Sequence, residues 1–152
     1  MKETLPLKLK KQLGLGLLAL RLSIALVFIM WALDKVFVPE HAMKVFAGFY
    51  GLDISSGISV AMGLAQLVFI GIFVAGLWKN ITYLAILILH AGSTFSSFAK
   101  YLDPFNNLLF FAAWPMLAAC FALYLLREHD IYTLSKTQKT QKTQKTPIKA
   151  YT

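Results

Sequence analysis

The stretch LGLGLLALRLSIALVFIMWALDK, Leu13 to Lys35, decides the fold. It is about 23 residues long, and a helix rising ~1.5 Å per residue carries it across the ~30 Å hydrocarbon core of a bilayer with some tilt. About a dozen Leu, Ile, Val and Phe residues favour insertion by roughly 0.5 kcal/mol each, which outweighs the ~3 kcal/mol cost of one central arginine, Arg21. The segment inserts, and Arg21 must then find polar company.

The whole chain supports that reading. Its 152 residues are 58% hydrophobic, so lipid rather than a water-excluding core is the natural solvent of a single domain. The formal charge of +8 sits mainly in the tails and at segment ends, which makes it a topology signal and not a nucleic-acid footprint. The only cysteine, Cys120, excludes an internal disulfide and any CxxC redox or zinc pattern.

Residues 1–12 form a basic tail with Lys2, Lys8, Lys10 and Lys11. The apolar run that follows is too long for a signal peptide and lacks a small-residue cleavage site, so it reads as a retained anchor. Further apolar stretches give four spans, at about 13–33, 57–77, 81–99 and 106–126, within a transmembrane domain over 13–126. The expected fold is an all-α, four-transmembrane-helix bundle. Between the first two spans, Ala42, Val45, Phe46 and Phe49 oppose Glu40 and Lys44 at helical spacing, which predicts a short amphipathic helix at the interface, an outer lid. Trp78, Lys79 and Asn80 make a tight turn between the second and third spans, and Pro115 predicts a kink in the fourth.

Lys79, Arg127 and both tails fall on one side, so both termini are expected in the cytoplasm, on the inner membrane of a bacterial cell. Residues 127–152, with a Lys-Thr-Gln repeat, read as a solvated basic tail.

Counted from the cytoplasmic ends, Arg21 lies at ~12 Å, His90 at ~14 Å and Gln66 at ~17 Å, so three helices offer polar groups to one layer. Helical faces agree: Arg21, Ala25, Phe28, Ala32 and Lys35 share one, while Tyr83, His90, Ser93, Thr94 and Ser97 make a polar stripe on another. The candidate ligand-binding layer is therefore Arg21, Gln66, His90, Ser93 and Thr94, with an outer entrance at Asp34, Lys35, Lys100 and Asp103. No Asp or Glu lies within a span to pair with Arg21, which favours an anion or a ligand carbonyl there. One histidine and one distant cysteine are too few ligands for a metal site, so none is expected. Gln66 and His90 read equally as hydrogen bonds between helices. A quinone is the candidate cofactor: Arg21 could donate to a carbonyl, His90 could exchange a proton, and Phe28, Phe69, Phe73, Phe110 and Phe111 could line a slot.

ALRLSIALVFIMWALDK and VFAGFYGLDISSGISVAMGLAQLVFIGIFVAGLW resemble the DoxX family of small four-span bacterial membrane proteins, over about residues 17–126. The resemblance implies an inner-membrane four-helix bundle, matches Arg21 and Lys35 to the family's basic pair, and implies a place beside quinone-linked sulfur oxidation or thiol and oxidative-stress enzymes. Gln66 stands where the family commonly has an acid, and the region Trp31–Asp34 replaces a glycine often found before the lysine. The leading expectation is an accessory subunit of such a redox system, with a redox-enzyme partner or a second copy of the chain, in the lipid bilayer and with no nucleic acid. The competing expectations are a small-solute or anion permeation protein and a non-catalytic assembly scaffold.

Overall fold

The computed structural model describes residues 5–135. Those residues are helical, with no strand among them, and the helices are α1 (Leu7–Phe37), α2 (Pro39–Tyr50), α3 (Ser56–Val74), α4 (Lys79–Ser96), α5 (Phe98–Tyr101) and α6 (Ala113–Leu125). The Lys-Thr-Gln repeat expected to be a solvated tail lies outside the described residues.

Local chemistry sets the boundaries. Val38 precedes a proline and is pushed to φ −133°, which ends α1, and Pro39 then opens α2 where its missing N–H costs nothing. Gly51 closes α2 in the left-handed region at φ 65°; its own N–H reaches Ala47 O, and the Leu52 N–H reaches Phe46 O. The Ser55 hydroxyl accepts from Ile58 N–H at 3.3 Å and caps α3.

α1 lies antiparallel to α3. The Ser59 hydroxyl donates to Lys35 O at 3.1 Å, and Gln66 Nε2 donates to Phe28 O at 2.9 Å. Between these bonds Gly63 lets the backbones meet, since a Cβ there would stand 2.8 Å from the Ala32 carbonyl oxygen. The same register brings Arg21 to Gly76, at the α3–α4 turn. α4 pairs with α6, and α1 packs between α3 and α6 along its Leu17, Ile24, Phe28 and Ala32 face.

The shared face read for α1 is therefore the buried one, and Tyr83, His90 and Thr94 of the α4 stripe are buried too. The outward faces are apolar: Leu26 is 61% exposed and Val68 68%. Leu7–Phe37, Ser56–Val74 and Leu108–Leu125 are long and apolar enough to cross a membrane. α4 has 18 residues but spends many on its polar inner face, and it does not reach the same apolarity.

Two expectations need adjustment. Pro115 does not kink a helix interior: Leu108–Ala112 is wound as a 3-10 helix, α6 begins at Ala113, and the proline falls in its first turn. The domain also does not stop at Leu126 among the described residues. A 3-10 turn at Arg127–His129 leads into a strap, up to Ser135, that folds back on the bundle, with Leu134 N–H donating to Ala75 O at 2.8 Å.

Candidate functional site

Both ends of the described chain leave one end of the bundle, here the terminal end; α2 covers the far end. Polar side chains gather at two levels, not one.

The first level is at the terminal end. Arg21 donates through Nη1 to Asp130 Oδ2 at 2.7 Å and to the Tyr83 hydroxyl at 3.0 Å, and through Nη2 to Tyr132 O. Tyr83 in turn donates to Asp130 Oδ2 at 2.6 Å. Lys79 Nζ caps the strap, donating to Arg127 O at 2.9 Å and Asp130 O at 3.2 Å. Arg21 is 2% exposed and Asp130 1%, so this is a buried ion pair.

The sequence leaves Arg21 without an acid because none lies within a span; the partner comes from the strap beyond the last one. Its expected depth also changes. Gly76 and Tyr83 set its level, and Tyr83 stands only four residues past Lys79, about 6 Å along α4. His90 stands seven residues further, two turns or about 10 Å away. Arg21 and His90 therefore do not share a layer.

The second level surrounds a cavity of about 940 Å³ beneath α2. α1 contributes Phe28, Trp31, Asp34 and Lys35; α3 contributes Met62, Ala65, Gln66 and Phe69; α4 contributes residues from Ile88 to Ser97, including Ser93. The α2 face of Ala42, Val45, Phe46 and Phe49 forms the roof, in the lid position its periodicity indicates. His41 Nδ1 pairs with Asp34 at 2.8 Å, and Phe49 meets Phe110 at a ring separation of 5.9 Å, so both ends of the roof are pinned.

Lys35 Nζ donates to Trp31 O at 3.1 Å, which leaves two of its three N–H bonds without a protein acceptor among the described residues. Ser93 uses its backbone oxygen to accept the hydroxyls of Ser96 and Ser97 and lines the cavity. Walls of aromatic rings with a cation and a hydroxyl suit a flat, carbonyl-bearing molecule.

His90 is close to the cavity but behind it. Trp31 stacks on its ring at 5.9 Å and Phe28 meets it edge-on at 6.4 Å. Its Nε2 lies 3.0 Å from Ala113 O, and a carbonyl can only accept, so that nitrogen carries the hydrogen. Nδ1 is buried without a partner among the described residues.

Of the residues expected at the site, Gln66, Ser93, Asp34 and Lys35 line the cavity. Arg21 stands apart in the ion pair, and Thr94 is buried, its hydroxyl spent on His90 O at 2.8 Å. Lys100 and Asp103 are exposed and outside the lining, Asp103 being bound to Asn106 Nδ2 at 2.9 Å. Trp31 and His41 of the cavity lining and Asp130 of the ion pair are not among the site residues expected from the sequence. For Trp31 a signal was available, since it follows Phe28 at helical spacing on the face that carries Lys35.

The chain matches no protein-family model, no curated protein and no solved structure.

Proposed function

We propose that this chain is a four-span protein of the bacterial inner membrane, with both termini cytoplasmic, that binds a quinone-class ring beneath α2 as an accessory subunit of a quinone-linked or thiol and oxidative-stress redox system. The carrying observation is the cavity, whose aromatic lining includes Lys35 and Ser93. Its size, about 940 Å³, suits a ring with substituents. The DoxX-like pattern of the first two spans and the basic residues Lys79 and Arg127 at the terminal end support the family and the orientation.

A partner would carry the electrons. The cavity offers donors for a carbonyl, and its middle presents Gln66, whose amide nitrogen is spent on Phe28 O. The permeation reading rests on the outward polar stripe and an unpaired Arg21; Asp130 pairs the arginine, so the stripe alone supports it. The scaffold reading gains from the same ion pair, which fastens elements and lies outside the lining of the cavity beneath α2.

Melting of the purified protein in detergent against a panel of benzoquinones and naphthoquinones tests the proposal. A ligand of the folded state raises the melting temperature by mass action, by about 2.7 kcal/mol of added stability at a hundredfold excess over Kd. Stabilisation lost in Trp31→Leu supports the ring site. A flat response to every ring favours the scaffold.

A further inference from the structure

We infer that the occupant of this cavity enters sideways between α3 and α4, as a lipid-dissolved molecule with an apolar chain. The inference rests on the ring-binding reading and adds the route and the chain.

α2 covers the far end, held at Asp34 by His41 and at Phe110 by Phe49, and the lining residues exposed there, His41 and Tyr50, carry polar groups. The side is apolar. Met62 and Ala65 on α3 and Ile88, Leu89 and Gly92 on α4 line the cavity and are exposed. Together they make two apolar rims, one on each helix. Ala65 and Gly92 are the smallest, and a Cβ added at Gly92 would meet nothing within 4 Å.

The lining is sorted along the bundle axis. Lys35, Ser93, Ser96 and Ser97 lie toward the far end, whereas Phe69, Ile88 and Leu89 lie toward the middle. A polar ring is therefore held at the far end while an apolar chain trails into the slot. Moving that chain from lipid to an apolar slot gains little hydrophobic energy, so the slot governs the route more than the affinity.

The test uses the protein in lipid discs in a Cys120→Ala background, with Ala65→Cys and Gly92→Cys joined by a bis-maleimide carrying a photocleavable spacer, the unjoined control being capped at both thiols with N-ethylmaleimide. Decylbenzoquinone is the probe, and quenching of Trp31 is read after Trp78→Phe and Trp114→Phe. Probe added before joining should stay bound. Probe added afterwards should enter at least tenfold more slowly, and cleaving the spacer should restore entry. Gly92→Phe, whose Cβ would meet nothing within 4 Å, should also slow entry without lowering the melting temperature. Entry of the probe at the same rate in joined and unjoined protein would overturn the route and leave the ring site standing. Decanol competing as well as decylbenzoquinone would leave the slot and sink the ring reading. Absence of quenching in the unjoined protein would overturn both.

Discussion

Arg21 and Asp130, 109 residues apart in the chain, form a buried ion pair at 2.7 Å that ties the first long helix to the strap beyond the last. Tyr83 completes it by accepting from the arginine and donating to the carboxylate, so one oxygen, Asp130 Oδ2, draws three elements together. Removing one member of a buried pair strands the other. Asp130→Ala should therefore cost about 3–5 kcal/mol, and the double variant Arg21→Met/Asp130→Leu should recover much of that loss. A double-mutant cycle on detergent-solubilised protein checks this; additive losses would mean that the two charges do not stabilise each other.

The strap should be part of the folded domain. A chain ended at Leu126 loses Asp130, the cap that Lys79 places on Arg127 O and Asp130 O, and the Leu134–Ala75 bond. Compared with a chain ended at Ser135, it should melt at a clearly lower temperature and expose the α3–α4 turn to protease. Equal melting would show the strap to be a passive surface segment.

Two glycines should respond in opposite directions to alanine. Gly76 sits at φ 66°, and its Cβ would stand 2.7 Å from Arg21 Nη1. Gly76→Ala thus incurs the left-handed penalty of about 1–2 kcal/mol and pushes on the ion pair as well. Gly71 lies inside α3 with open space around it, so Gly71→Ala should stabilise by up to about 1 kcal/mol through helix propensity. Melting of the two single variants decides; a stabilised Gly76→Ala would contradict the close approach at the turn.

The faces of the helices were legible in the sequence, and the depths were not. Arg21, Ala25, Phe28 and Ala32 recur at helical spacing, and burial follows from that period wherever a helix packs. Depth depends on where α1 meets its neighbours. The helix starts at Leu7, so Lys8, Lys10 and Lys11 belong to it, and its register with α3 sets Arg21 at the α3–α4 turn. That register comes from Gly63 and from backbone bonds to Lys35 and Phe28, which no local pattern announces. Asp130 is less legible still. It lies in a short polar run after an apolar span, and only the return of the chain makes it a partner.

Lys35 should be the group that senses an oxygen in the cavity. It is the cation in the lining, its Nζ is held near the wall by Trp31 O at 3.1 Å, and Trp31 itself reports occupancy through its fluorescence. A charge-assisted hydrogen bond is worth about 1.5–3 kcal/mol, so Lys35→Met should weaken binding of a short-chain benzoquinone by roughly 10- to 150-fold. Methionine keeps the length and apolar stem, so the packing against Gly63 survives and the melting temperature without ligand should hold. Arg21→Met provides the contrast: two turns from the cavity level, it should destabilise the protein while leaving the affinity of the remaining folded fraction within about twofold. Titration of Trp31 emission in both variants checks the pair of expectations. The opposite pattern, with affinity lost at Arg21 and kept at Lys35, would return the ligand to the ion-pair level and remove it from the cavity beneath α2.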